Sequence, residues 1–185
     1  IELNPNFVNA YSNLGLILRD LGNLEEAELY TRKAIKLNPN FVDAYLNLSL
    51  VLKNLGKPEE AELYGRKSIE LNPNFVNAYL NLSLVLKNLG KYEEGELYTR
   101  KAIELKSNSP EAHYILGQLL NNLGELDEAI TSLKKAFELG IEYTRYKEEI
   151  GLVLLKKGNH LEGLKNLKSG HGNISFDLEK GFSIS

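Results

Sequence analysis

The stretch NPNFVNAYSNLG, residues 4–15, decides the fold, because the chain repeats it almost unchanged. It returns as NPNFVDAYLNLS at residues 38–49 and as NPNFVNAYLNLS at residues 72–83. The copies are 34 residues apart. Self-similarity at a fixed period of this length is the sequence signature of a repeat architecture. The prediction for the whole chain therefore follows from what one 34-residue unit does.

Glycines extend the same register beyond the three copies. They recur every 34 residues, at Gly22, Gly56, Gly90, Gly124 and Gly158. No insertion interrupts this register, so we predict an array of five units over residues 8–168. The predicted units span 8–41, 42–75, 76–109, 110–143 and 144–168. Residues 1–7 match the end of a truncated preceding unit, and residues 169–185 form a C-terminal tail.

Apolar residues follow helical spacing on both sides of Gly22, which predicts two helices per unit. The two stripes are Ala10, Leu14, Ile17, Leu18 and Leu21, then Leu24, Ala27, Tyr30, Ala34, Ile35 and Leu37. Gly22 can adopt the left-handed conformation that ends a helix. Pro39 ends the second helix because proline disfavours a helical residue before it. Asn40 is predicted to cap the next helix, as is Ser109 in the fourth unit.

Composition excludes several classes of protein. The chain has 185 residues, 43 % of them hydrophobic, and a net charge of −3. This small charge argues against nucleic acid as a partner, because phosphate binding requires a basic face. No run of apolar residues approaches the ~20 needed to cross a bilayer, so no membrane partner is predicted. The absence of cysteine excludes disulfides and thiolate metal sites, and it suits a cytoplasmic setting.

No catalytic constellation is evident, so we predict no enzyme activity, no metal and no cofactor. The histidines His113, His160 and His171 lack metal-ligand spacing. His113 stands where the other units have an aromatic residue, which favours a structural role. The GHGN segment at residues 170–173 has neither a strand before it nor a helix after it, as a phosphate-binding loop would require.

These repeats resemble the tetratricopeptide repeat (TPR) family over residues 8–168. The residues that carry the resemblance are aromatic residues, asparagine–leucine pairs, turn glycines, alanines and prolines, among them Tyr11, Tyr45, Tyr79, Asn13, Leu14, Ala27, Ala61, Ala129, Ala34, Ala102, Pro5, Pro39 and Pro73. The resemblance implies an all-α, right-handed α-solenoid of antiparallel helix pairs. The copies are especially similar to the repeats that precede O-linked N-acetylglucosamine transferase domains, and to arrays in bacterial, notably cyanobacterial, proteins.

The resemblance also implies a concave groove, lined by the first helix of each unit, that holds a peptide or protein. It places three rows there: an asparagine row (Asn13, Asn47, Asn81), a leucine row (Leu16, Leu50, Leu84) and a basic row (Arg19, Lys53, Lys87). In the transferase family, equivalent asparagines bind the backbone of an extended peptide. An amide side chain suits this role because it is both donor and acceptor. The alternative is that the asparagines only join neighbouring helices and that the basic row is a solvated edge.

The leucine row would receive apolar side chains, and the basic row would favour an acidic partner. Ile115 and Glu149 take the asparagine position in the last two units, so a ligand should lie mainly on the first three. A clamp of the chaperone-binding type is disfavoured. Its first lysine would fall where this chain has Ser12, Leu46 and Leu80.

Two functional classes follow from this groove. The first is an interaction scaffold that binds a peptide or protein partner. The second is the substrate-recognition arm of a larger enzyme, a glycosyltransferase or an oxygenase, whose catalytic domain is not in this chain. The full-length gene sequence would separate the two.

The second helices carry an unusual pattern. Thr31, Gly65 and Thr99 stand where the family packs a large residue. Outward-facing leucines are predicted beside tyrosines on the same helices, at Leu29, Leu63 and Leu97 beside Tyr30, Tyr64 and Tyr98. Either the tyrosines fill the space that the small residues leave, or this convex face is a self-association patch.

The tail changes from helical spacing to alternation. Five apolar residues would share one face of a β-hairpin: Ile174, Phe176, Leu178, Phe182 and Ile184. An isolated hairpin is marginal in water. The tail should therefore dock on the last helices, pair with another chain in self-association, or begin a downstream domain.

Overall fold

A computed structural model describes residues 5–171, 174–177 and 181–184. The helices of the first three hairpins are α1 (Pro5–Asp20), α2 (Leu24–Leu37), α3 (Val42–Asn54), α4 (Pro58–Leu71), α5 (Val76–Asn88) and α6 (Tyr92–Leu105). They are followed by α7 (Pro110–Leu123), α8 (Leu126–Glu138), α9 (Tyr143–Lys156), α10 (His160–His171), β1 (Ile174–Asp177) and β2 (Gly181–Ile184).

The chain divides into two compact units between Leu105 and Lys106. The first unit contains α1 to α6, and the second contains α7 to α10 with the two strands. In both, consecutive helices form hairpins that pack side by side. The predicted all-α class, built from helix–turn–helix repeats of the α-solenoid type, is confirmed.

A glycine in the left-handed conformation ends the first helix of each hairpin, as predicted. The φ angles are 81° at Gly22, 72° at Gly56 and Gly90, 86° at Gly124 and 88° at Gly158. A residue with a Cβ atom would be strained at these angles. The regular glycine register therefore sets where every hairpin turns.

The helix starts follow the sequence less closely. The Ser109 Oγ atom accepts a hydrogen bond from the Ala112 amide at 3.2 Å, which confirms the predicted cap. The cap predicted at Asn40 is wrong, because Phe41 precedes α3 and makes no side-chain cap bond. The Asn40 amide instead donates to the Asn38 Oδ1 atom at 2.9 Å. Asn38 therefore stabilises the turn, as asparagine commonly does two residues before a backbone amide.

The core of the first unit lies between successive hairpins. Leu48 and Leu52 on α3 are fully buried and pack with Val85 on α5. On α1 the corresponding apolar stripe is buried only in part. Ile17 and Leu21 are exposed, because no helix precedes α1 within the residues that the structure describes.

In four of the hairpins that the structure describes, a glycine on one helix faces a larger residue on the other. A Cβ atom at Gly117 would lie 2.6 Å from the Leu133 Cγ atom, and one at Gly151 would lie 2.8 Å from the Leu167 Cγ atom. In the second hairpin the order is reversed, and a Cβ atom at Gly65 would lie 3.2 Å from the Ser49 Oγ atom. In this hairpin the glycine therefore lies on the second helix, and the first helix carries Ser49 at the position of contact.

The two strands pair antiparallel. Ile174 lies opposite Ile184, and Phe176 lies opposite Phe182. Leu178, which the sequence assigned to the same face, lies outside the described residues. The predicted docking of the tail and the predicted domain bounds stay predictions.

Candidate peptide-binding surface

Buried amides join the first helices of the first unit. The Asn47 Nδ2 atom on α3 donates to the Ser12 Oγ atom on α1 at 2.9 Å. The Asn81 Nδ2 atom on α5 donates to the Ser49 Oγ atom on α3 at 2.6 Å. These residues are only 9 % and 4 % exposed. The arrangement is the alternative in which asparagine bonds neighbouring helices.

The three members of the asparagine row are therefore not equivalent. Asn13 is exposed. The Asn81 Oδ1 atom is buried and has no hydrogen-bond partner. The Asn81 side chain therefore uses its donor but leaves its acceptor without a hydrogen bond. Burial of this unpaired oxygen lowers the stability of the fold, because the oxygen has lost its contact with water. Recognition of a peptide backbone by the whole row stays a prediction, and only Asn13 presents its side chain to solvent.

We expect the asparagines to differ in their effect on stability. Asn47→Ala and Asn81→Ala each remove a buried interhelical hydrogen bond, so each should lower the free energy of unfolding by about 1 kcal/mol. Asn13→Ala, at an exposed site, should change it by less than about 0.5 kcal/mol. Urea unfolding followed by circular dichroism measures all three. Equal losses at the three positions would contradict this distinction.

The leucine row and the basic row are partly exposed on the same helices. Burial lowers the pKa of Lys53, and the positive charges of Arg19 and Lys87 lower it further. Lys53 therefore lies close enough to a cation on each of the two neighbouring first helices to be repelled by both. Arg19 also binds the Asp20 carboxylate at 2.7 Å. Such an arrangement favours an anion that can lie across the three helices.

The second unit presents different chemistry on its first helices. The Gln118 Nε2 atom donates to the Glu149 carboxylate at 2.8 Å, and the Arg145 guanidinium lies 4.4 Å from the centre of the Tyr114 ring. Ile115, at the asparagine position, is buried. Within this unit, Asn121 stands at the position of the basic row on α7. The sequence predicted the interruption of the asparagine row, but not the hydrogen bond between the Gln118 amide and the Glu149 carboxylate.

His113 has the structural role that its position predicts. Its Nε2 atom bonds the Ser107 carbonyl at 3.0 Å. Tyr45 and Tyr79, at the same position in earlier repeats, donate to the Pro39 and Pro73 carbonyls at 2.9 Å.

In the part of the chain that the structure describes, no cluster of three or more acidic or histidine side chains could hold a metal ion. None of the described helices is long and apolar enough to cross a membrane.

Comparison with known proteins places the repeats in context. Tetratricopeptide repeat models match residues 8–41 and 30–62, and the model of anaphase-promoting complex, cyclosome, subunit 3 matches residues 54–136. No curated protein matches the chain in sequence.

Solved structures match over most of the chain. YrrB, a TPR protein with an unusual peptide-binding site, is 25 % identical with a TM-score of 0.68, over 86 % of this chain and 82 % of YrrB. MamA is 26 % identical with a TM-score of 0.73, over 89 % of this chain and 90 % of MamA. PilF of Pseudomonas aeruginosa is 22 % identical with a TM-score of 0.80, over 91 % of this chain and 78 % of PilF.

Proposed function

Because this chain is a tetratricopeptide repeat protein, we propose that it is an interaction scaffold whose helices α1, α3 and α5 bind an extended acidic segment of a partner protein. The observation that carries the proposal is the basic row, with Lys53 between two other cations, beside a partly exposed leucine row. The similarity of this chain to YrrB, a TPR protein with an unusual peptide-binding site, supports a peptide as the ligand.

Electrostatics favours an anionic segment over a neutral one. The neighbouring positive charges disfavour protonation of Lys53, since they lower its pKa. A carboxylate laid across the row offsets this repulsion and raises the pKa again. Binding should therefore weaken as the pH rises through the lowered pKa of Lys53, where this lysine loses its charge.

The spacing of the helices predicts the positions of the acidic residues in the bound segment of the partner. Packed helices are about 8–10 Å apart, and one turn of a polyproline II helix advances about 9 Å in three residues. An acidic residue at every third position therefore meets successive cations of the row. Apolar residues between them can cover Leu50 and Leu84, which are partly exposed.

A designed peptide tests this pattern. The probe is a fluorescein-labelled nonapeptide, Glu-Leu-Ser repeated three times, and the matched control has Gln at each Glu position. Fluorescence anisotropy should show at least tenfold tighter binding of the acidic peptide. The affinity for this peptide should decrease as the salt concentration is raised from 50 to 500 mM, because screening weakens charge pairing. Equal affinities for the two peptides would refute an acidic ligand.

Lys53→Met should separate binding from stability. At a pH below the lowered pKa of Lys53, its positive charge opposes folding. This penalty disappears when the pH exceeds 10.5, the pKa of the lysine in the unfolded chain. At pH 7 the variant should therefore be more stable, by about 0.5 kcal/mol, and should bind the acidic nonapeptide about fivefold more weakly. Urea unfolding and anisotropy measure the two effects. A variant that loses both stability and binding would indicate a structural role for this lysine.

A further inference from the structure

The second helices of the first unit form one outer face, and side-chain contacts link each helix to the next. The Arg32 Nη1 atom on α2 donates to the Tyr64 hydroxyl on α4 at 2.7 Å, and the Arg66 Nη1 atom on α4 donates to the Tyr98 hydroxyl on α6 at 2.8 Å. Glu28 near the start of α2 binds Lys57, which immediately precedes α4. These contacts between equivalent parts of the helices show that α2, α4 and α6 lie side by side and run in the same direction.

Three bands of side chains cross this outer face. The leucine band is exposed, at 52 % for Leu29, 64 % for Leu63 and 67 % for Leu97. An acidic band lies four residues earlier on each helix and a basic band four residues later: Glu25, Glu59 and Glu93, and then Lys33, Lys67 and Lys101. Residues four apart share one face of a helix, so the leucine band is flanked by opposite charges on its two sides.

We propose that the outer face binds a second copy of this chain through a two-fold axis that lies in the plane of the face and runs across the three helices. Rotation about this axis places the leucine bands in contact and lays each helix antiparallel on its own copy. Glu59 of one protomer then faces Lys67 of its partner, and the same holds for the outer helices. The surface is self-complementary, as an isologous interface requires.

The charges also exclude the other simple pairing. A two-fold axis parallel to the helices would still join the leucine bands. It would, however, place the acidic band on the acidic band and the basic band on the basic band. Like charges in contact cost several kcal/mol across an interface. The order acid–leucine–base along each helix therefore selects the antiparallel arrangement.

Nearby ion pairs do not prevent this association. Lys67 binds Glu70 and Lys101 binds Glu104 within their own helices. Both carboxylates are exposed, and exposed pairs of this kind contribute little to stability. The lysines can therefore turn to the acidic band of a partner. In α2 the residue three positions after Lys33 is Lys36, so the lysine–glutamate pair of the other two helices cannot form there. The Lys33 Nζ atom instead lies 4.9 Å from the centre of the Tyr30 ring.

The size of the face predicts a concentration-dependent dimer. The three helices have 14 residues each and are about 21 Å long. They are joined by side chains rather than by close backbone packing, so together they span at least about 27 Å. Each copy can then contribute roughly 600 Å², or about 1,200 Å² in total, at the lower end for specific complexes. Leu63 lies at the centre of the face, where truncation has its greatest effect.

Charge reversal tests the proposed dimer, because two variants that each lose the dimer should restore it when they are combined. One variant carries Glu25→Lys, Glu59→Lys and Glu93→Lys, and the other carries Lys33→Glu, Lys67→Glu and Lys101→Glu. Sedimentation velocity of the unaltered chain should show a monomer–dimer equilibrium at 10–500 µM. Each variant alone should be monomeric, because like bands then face each other. An equimolar mixture of the two should form heterodimers, and a chain with both sets of changes should dimerise again.

Several outcomes would overturn the proposal. A chain that stays monomeric up to 500 µM has no such interface. Dimers that survive charge reversal in both variants use another surface or the other axis. Circular dichroism verifies that each variant is folded, since lysine in the first turn of a helix is mildly unfavourable. Leu63→Ser provides a second route, because it removes the central contact without changing charge and should weaken the dimer at least tenfold.

Discussion

Replacing Arg19, Lys53 and Lys87 together with glutamate is expected to abolish binding of the acidic nonapeptide. The change converts three attractive charges into three repulsive ones on adjacent helices. A loss of about 100-fold or more, equivalent to about 2.7 kcal/mol, follows even from modest pairwise energies. Fluorescence anisotropy at 50 mM salt measures the loss. The reversed row should instead prefer a nonapeptide with Lys at the Glu positions, which a general loss of structure would not produce.

A matched variant distinguishes the row from net charge alone. Lys36, Lys106 and Lys134 are exposed cations, none of which belongs to α1, α3 or α5, and their replacement by glutamate changes the net charge by the same amount. This control should retain peptide affinity within about threefold, since it leaves the basic row unchanged. If both triple variants bind equally weakly, the interaction depends on overall charge, and the basic row is the solvated edge that the sequence allowed as an alternative.

Gly117→Leu is expected to be among the most destabilising single substitutions in the second unit. Even the Cβ atom would lie 2.6 Å from the Leu133 Cγ atom and 3.3 Å from the Ala129 carbonyl oxygen. Leu133 is fully buried and cannot move aside cheaply. Overpacking of this kind costs about 3 kcal/mol, although leucine gains some helix propensity over glycine. Urea unfolding should show a corresponding drop in the midpoint.

A double-mutant cycle tests the assigned cause. Leu133→Ala alone should cost about 3 kcal/mol through the cavity that it creates. Combined with Gly117→Leu, it frees the space that the new side chain needs. The double variant should then lose clearly less than the sum of the two single losses, with a coupling of about 1 kcal/mol or more. Strict additivity would show that the two positions do not share one volume.

The fold was predictable because the sequence of each repeat contains residues that determine where its helices begin and end. Gly22 and its counterparts require a left-handed turn, and Ser109 followed by Pro110 starts a helix by a local hydrogen bond. The cap at Asn40 was not predictable in this way. Asn38 competes for the same turn, and the choice between the two asparagines depends on the geometry of the loop.

The candidate site was predictable only in outline. Spacing placed Asn13, Asn47 and Asn81 at equivalent positions, yet the first is exposed and the others are buried. The difference depends on hydroxyls at two non-equivalent positions, Ser12 and Ser49, which no single-helix pattern pairs with an amide on the next helix. The influence of Arg19 and Lys87 on the pKa of Lys53 likewise depends on distances between helices.

The arginine contacts on the outer face also bear on how such a protein can evolve. Arg66 belongs to one repeat, whereas Tyr98 and Glu94, which it binds, belong to the next. Every repeat with both elements therefore supplies a donor to its successor and acceptors to its predecessor. Duplication of an entire repeat lengthens the array without requiring any new interface. Insertion of one residue in α4 after Arg66 would instead rotate everything beyond it by about 100° about the helix axis. Arg66 would then be separated from both Tyr98 and Glu94.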